Sequence, residues 1–160
     1  MRIVIACVGR LKDGPERDLY ERYAGRLDAT GRAVALGPLT LAEVPEGRAA
    51  DKTTRLADEG QRLLAACGEA SVRIVLDERG KSLSSTAFAQ FLARHRDDGV
   101  QRLALLIGGA DGHGAEVLAG ATLKLSLGAM TLPHGLARIV LAEQLYRAAT
   151  ILTGHPYHRE

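Results

Sequence analysis

The sequence predicts an α/β fold built on a mostly parallel sheet with helices on both faces. Three observations carry that prediction. The run "RIVIACV" is mostly β-branched and apolar, as suits a strand buried on both sides, and "VRIVLD" and "RLALLIG" also read as strands. They alternate with longer segments whose apolar residues recur at helical spacing, the rhythm of repeated strand–helix–strand units. The chain has 160 residues, 46% of them hydrophobic and 25% charged, enough to bury a sizeable core in one domain spanning residues 1–160. No internal repeat, low-complexity tract or long linker divides it.

In chain order, "RIVIACV" is the first strand. "DGPERDLYERYAGRL" follows as a helix, with Asp13 as its expected cap, Pro15 in the first turn, and Leu19, Tyr23 and Leu27 on one face. "AVALGPLTLAEVP" is extended and is broken at Gly37-Pro38. "ADKTTRLADEGQRLLAACG" is an amphipathic helix that Gly68 closes. In the second half "VRIVLD" is a strand, "STAFAQFLARHRDDG" a helix, "RLALLIG" a strand and "GAEVLAGAT" a short helix. "LKLSL" is the last strand and "LARIVLAEQLYRAATIL" the last helix.

Composition excludes several function classes. Twenty-one basic against nineteen acidic residues give a formal charge of +2, so bulk electrostatics does not mark a nucleic-acid binder, and no DNA partner is expected. Any RNA contact must come from local placement. Cys7 and Cys67 are far apart, with no C-x-x-C, which argues against a disulfide framework or a zinc site. The first apolar run is too short for a signal peptide or a membrane span, and a cytoplasmic address is expected.

Three segments leave the carboxyl ends of candidate strands: "DERGKS" from Asp77, "GGADGHG" from Gly108 and "GAMTLPHG" from Gly128. Ligands of open α/β sheets settle outside strand ends, and glycines there let backbone amides approach closely. Phosphate-loop motifs do not fit. "GKS" lacks the glycine that a Walker A motif needs at the position of Val75, and "GGADGHG" does not thread onto G-x-G-x-x-G. Glycines with Leu76, Leu127, Met130 and Leu132 suit an adenine and ribose held by backbone groups. The alternative is that these are ordinary strand-to-helix turns.

The histidines divide further. His155 and His158 lie three apart around Pro156 with no third ligand nearby, so no metal is expected. His134 caps or packs at the start of the final helix, and His95 and His113 are expected at the surface. The ending "TGHPYHRE" concentrates titratable and aromatic groups where chains usually fray. Either it is a loose end or something holds it.

The stretches "VGRLK", "LDERGKSLSS", "LLIGGADG", "MTLPH", "RIVLAEQLYRA" and "HPYHRE" span the whole chain. Together they closely resemble the bacterial large-subunit ribosomal RNA methyltransferases of the SPOUT class. The resemblance implies a C-terminal trefoil knot, a rare exception to unknotted topology. It implies a homodimer that carries methyl from S-adenosyl-L-methionine to N3 of a pseudouridine in 23S rRNA on the assembled ribosome. The family's cofactor contacts carry over to Leu76, to Gly108, and to Leu127, Gly128, Ala129, Met130, Thr131 and Leu132. Gly128, Ala129 and the "DGHG" stretch depart from the more usual residues, which touches side-chain contacts there and not backbone ones.

The substrate sets the chemistry. A sulfonium methyl is already activated, so positioning dominates and no metal is needed. The uracil N3 proton, with an ordinary acidity near about 10, must leave to a base or be eased by a cation. His158, Tyr157, Arg159, Arg138 and Glu143 are the candidate catalytic groups, given the tail's composition and the family's knotted end over the cofactor.

In the final helix Leu136, Ile139, Val140, Leu145, Ile151 and Leu152 cover more surface than one core contact needs. A two-fold dimer explains this, and a fully buried helix in a monomer is the alternative. Two other function classes remain for comparison. A nucleotide-dependent oxidoreductase lacks its glycine fingerprint in "CVGRLKDG". A non-catalytic ribosome-binding factor of the same fold differs only in lacking methyl transfer.

Overall fold

The computed structural model describes residues 1–158. Five strands and five helices alternate: β1 Arg2–Val8, α1 Pro15–Gly31, β2 Leu39–Val44, α2 Lys52–Cys67, β3 Val72–Ser82, α3 Ser85–Asp97, β4 Arg102–Ile107, α4 Ala115–Ala119, β5 Leu123–Ser126 and α5 His134–Thr153. A short 3₁₀ turn at Arg32–Val34 follows α1. The strands form one sheet in the order β2-β1-β4-β3-β5, every pair parallel.

The period-two alternation of the strands sorts their side chains between two unlike faces. Ile3, Ile5 and Cys7 of β1, with Leu103, Leu105 and Ile107 of β4, meet α1, α3 and α5 through Leu27, Leu92, Leu141 and Leu145. Val4, Ala6 and Val8, with Ala104 and Leu106, meet α2 and α4 through Leu63, Cys67 and Val117. The expected two-faced α/β layering is therefore present, three helices on one side and two on the other. Cys7 and Cys67 are both free and buried, and they lie in different core clusters on opposite faces of the sheet.

Local sequence accounts for most helix ends. Asp51 and Ser84 accept from the backbone N–H of Thr54 and Ala87 and so cap α2 and α3, and Gly68 closes α2 with φ 57°. Asp13 does not cap α1. Gly14 stands at that position, and Asp13 instead pairs with Arg17 Nε one turn on, at 3.2 Å, fully exposed. With Pro15 opening the helix, one orphan N–H is missing anyway and the cap has less to do.

"DERGKS" also differs from the loop expected of it. β3 continues to Ser82, and Leu125 of β5 opposes first Leu76 and then Lys81, so Asp77–Gly80 bulge out of an extended strand. Parallel pairing then brings the carboxyl ends of all five strands to one rim of the sheet.

α5 is apolar nearly all round and packs on α1 and α3. Ile139 and Leu145 are buried within this chain, Val140, Ile151 and Leu152 are half-buried, and Leu136 remains 42% exposed. No helix among the described residues is long and apolar enough to cross a membrane.

Candidate functional site

At the carboxyl rim, the Val75–Leu106 pair fixes the neighbourhood of Leu76 and Gly108: two residues further along, Asp77 and Gly108 leave the sheet side by side. Gly108 has no room for a side chain. A Cβ there would collide with the carbonyl of Gly112, because the following loop turns back on itself through the Gly109–Gly112 bridge. That turn returns His113 to the strand ends. Contrary to the surface position expected of it, His113 has both ring nitrogens shielded and without a hydrogen-bond partner among the described residues. Burial holds its pKa below the ordinary histidine value, opposed by the backbone of Leu106 and Leu76 and the charge of Asp77, all beside the ring. His95 is also half-buried, its ring edge-on to Phe91 at 4.5 Å.

Beneath the loop, the carboxylate of Glu59 is 6% exposed, accepts from Gly47 N–H at 2.7 Å and lies against Gly109. It joins α2, the β2–α2 connection and the double-glycine turn.

Beyond β5, Leu127 and Leu132 are half-buried while Gly128, Ala129, Met130 and Thr131 face solvent, Met130 at 78% exposure. Ser126 Oγ is 3.2 Å from both the N–H and the carbonyl of Gly128 and shapes the turn. A cleft of about 320 Å³ opens beside it between β5, α3 and α5, with Ser82, Ser85, Phe88, Val140 and Gln144 in its walls. Of the eight expected cofactor contacts, Leu127 and Gly128 line this cleft. Leu76 stands where β3 enters its bulge, Gly108 directly follows β4, and Met130 is exposed.

The tail is held. Gly154 adopts φ 67°, its N–H donates to the Ile151 carbonyl, and His155 N–H reaches back to the Thr150 carbonyl. This paired closure reverses the chain onto α5. Tyr157 Oη then donates to Glu143 Oε1 at 3.0 Å, and the ring packs tilted against Tyr146 at 4.6 Å and under the Arg147 guanidinium at 4.8 Å. Arg147 donates to the same carboxylate at 2.7 and 2.9 Å, and Gln144 Nε2 donates to Glu143 Oε2 at 2.7 Å. Burial, then the Glu143 contact, pushes the Tyr157 hydroxyl well above its ordinary pKa, so it is a donor and not a phenolate at neutral pH. His158 Nδ1 is shielded and without a partner among the described residues. Arg159 lies outside them. Gln144 links this cluster to the cleft, since its Oε1 also accepts from Ser85 Oγ at 2.7 Å.

Arg138 belongs to neither place. It is 2% exposed, bonded at 2.9 Å to Glu43 Oε1, to the Val8 carbonyl and to the Gly9 carbonyl. Glu43 Oε1 also accepts from Leu11 N–H at 2.6 Å. In this chain Arg138 clamps α5 to the ends of β1 and β2 and faces no open cleft. The residue types alone gave no sign of that clamp. "GGADGHG" looks like an open loop with His113 at the surface, while the short Gly109–Gly112 turn carries the ring inward.

Comparison with known proteins agrees with this architecture. A family model described as "Predicted SPOUT methyltransferase" matches residues 1–158. A protein of Xanthobacter autotrophicus named "Ribosomal RNA large subunit methyltransferase H" is 52% identical over 159 residues, covering 99% of each chain. A protein of Bradyrhizobium diazoefficiens with the same name is 48% identical over 159 residues, again covering 99% of each. Among solved structures, a probable methylase family protein from Haemophilus influenzae superposes with a TM-score of 0.55 at 14% identity, over 95% of this chain and 66% of that one, a likeness of fold. With its parallel sheet, its strand-end loops and its full-length match, the chain belongs to the SPOUT methyltransferase family.

Proposed function

We propose that this chain is a large-subunit ribosomal RNA methyltransferase that uses S-adenosyl-L-methionine to methylate N3 of a pseudouridine in 23S rRNA, acting in the cytoplasm as a homodimer on the assembled ribosome. The observation that carries this reading is the near-50% identity to relatives of that name over 99% of both chains. The rim suits the cofactor: a half-buried imidazole stands beside the Leu76 backbone, and Gly128 opens onto free space. Leu76, Gly108 and Leu127 through Leu132 would hold it, mostly through backbone groups. When bound, it supplies a methyl group already activated on a sulfonium.

The chain's own residues then orient the base and manage one proton. His158 is the group suited to accept the proton that the pseudouridine N3 must lose. Arg159 joins it as a cation toward the developing anion. Tyr157 and Glu143 position the tail that carries both.

The start of α5 and Glu143 are nine residues apart, about 14 Å along a helix. The tail cluster of one chain therefore lies well away from the loop that begins its own α5. A two-fold partner that set this cluster over the opposite cofactor loop would complete the site and cover the exposed Leu136 and Met130. The trefoil knot belongs to the same reading.

The experiment offers free rRNA, separated subunits and whole ribosomes with labelled S-adenosyl-L-methionine and maps the product by mass spectrometry. Methyl on N3 of a pseudouridine in whole ribosomes supports the reading. Ribosome binding without transfer supports the non-catalytic factor instead.

A further inference from the structure

Gln144 makes a contact that its place on the helix does not favour. Successive residues of a helix point about 100° apart, so neighbouring side chains do not face each other. Yet Gln144 Nε2 donates to Glu143 Oε2 at 2.7 Å. The amide is held there from outside α5, since its Oε1 accepts from Ser85 Oγ at 2.7 Å. Ser85 is itself fixed: it opens α3 directly after Ser84, whose hydroxyl accepts from Ala87 N–H and caps that helix. Turned over, the amide would set its carbonyl oxygen against the Glu143 carboxylate, acceptor against acceptor, so its two neighbours allow one orientation. Both polar ends of a side chain in the cleft wall are thereby committed to the protein. The oxygens of Glu143 are loaded unequally. Oε1 accepts from Tyr157 Oη at 3.0 Å and from Arg147 at 2.7 and 2.9 Å, while Gln144 serves Oε2. The terminal torsion of a glutamate is broad, and the amide is what stops this carboxylate from turning.

We propose that Ser85 and Gln144 are positioning residues for methyl transfer. The serine hydroxyl orients the amide, the amide fixes the carboxylate, and the carboxylate holds Tyr157 and so sets His158 in place for the N3 proton. This rests on the reading above, in which the tail manages that proton. Neither residue touches the reacting atoms. The relay also ties the tail to the rim, because only Leu83 and Ser84 separate Ser85 from the end of β3, the strand that carries the Asp77–Gly80 bulge. A misplacement of about 1 Å costs about a hundredfold in rate, so a loosened tail is read in the transfer step and not in cofactor binding.

The test is single-turnover methylation of ribosomes by wild type, Gln144→Met, Ser85→Ala, Ser85→Thr, Tyr157→Phe and the Gln144→Met, Tyr157→Phe double variant. Affinity for S-adenosylmethionine is measured by calorimetry, and the tail is followed by hydrogen exchange of the Tyr157 and His158 amides. Those amides donate to His155 Nδ1 at 3.1 Å and to the His155 carbonyl at 3.3 Å, so their exchange reports opening of the tail. Gln144→Met keeps the length and bulk of a half-buried side chain and should leave the thermal midpoint near that of wild type. It should slow transfer about tenfold, the weight of one hydrogen bond, leave cofactor affinity unchanged and speed exchange of both amides. Ser85→Ala should do the same more weakly, and Ser85→Thr, which keeps the hydroxyl, should transfer at the wild-type rate. In the double variant Gln144→Met should add little to the phenylalanine change, because both act through one bond. A Gln144→Met chain that transfers as wild type does, or whose loss adds in full to that of Tyr157→Phe, overturns the relay and leaves the methyltransferase reading standing. A wild-type chain that transfers no methyl overturns that reading, and the positioning role with it.

Discussion

Tyr157 Oη rests 3.0 Å from Glu143 Oε1, a bond between the penultimate described residue and the middle of the last helix. Through it the tail becomes part of the fold. Tyr157→Phe removes that bond while leaving the ring to pack against Tyr146, at a cost of about 1 kcal/mol. Single-turnover methylation of ribosomes should slow more than S-adenosylmethionine binding weakens, and hydrogen exchange of the tail amides should accelerate. A chain truncated before His155 should still fold and bind cofactor yet transfer no methyl. Unchanged transfer by the truncated chain would remove the tail from catalysis.

Arg138 yields a different outcome. Replacing it with Met leaves Glu43 without its buried cation and the Val8 and Gly9 carbonyls without donors. Breaking one side of a buried pair costs about 3 to 5 kcal/mol. Urea denaturation should show that loss in full. Removing Glu43 as well, as Glu43→Gln with Arg138→Met, should cost less than the sum of the two single changes.

Gly108→Ala tests the rim without touching a charge. Its Cβ meets the Gly112 carbonyl, so the turn must open or shift. The core strands do not depend on that turn. Affinity for S-adenosylmethionine is expected to fall by tenfold or more while the far-ultraviolet spectrum stays that of wild type.

Alkaline pH should unfold the protein early. Burial raises the Cys7 thiol from 9.0 to about 11 and the Cys67 thiol likewise to about 11, and burial also raises Tyr20. These acids are raised, so their stabilisation is complete below pH 9 and is lost as pH climbs toward 11. Cys7 alone accounts for about 3 kcal/mol across that window. The denaturation midpoint should be flat from these groups up to about pH 8.5 and then drop. On the acid side, half-buried His113 is held below its ordinary value, so its contribution is present above pH 6.5 and fades as pH falls through its folded value.

Strand and helix identities were legible because the central strands β1 and β4 are apolar through nearly their whole length and the helices keep their spacing. The caps of α2 and α3 and the glycine that ends α2 follow from side-chain chemistry one turn away. What escaped the sequence depended on distant partners. Nothing around Arg138 announces that Glu43, ninety-five positions earlier, will stand beside it. The polar stretch "DERGKS" reads as a loop until β5 pairs with its far end. His113 looks exposed in a glycine-rich segment and is half-buried because that segment folds back. The tail's density of chemistry was visible at once, but its anchoring needed Glu143 and Tyr146, which only the reversal at Gly154 brings within reach.

The rim of the sheet has one more consequence. At Gly109, Gly112 and Gly128 the surface offered to a small molecule is main chain, with no side chain to alter. A competitive inhibitor seated on those peptide groups would contact atoms that every substitution retains. Resistance at this rim would have to arise by reshaping the turns, and the crowding around Gly108 leaves little freedom for that.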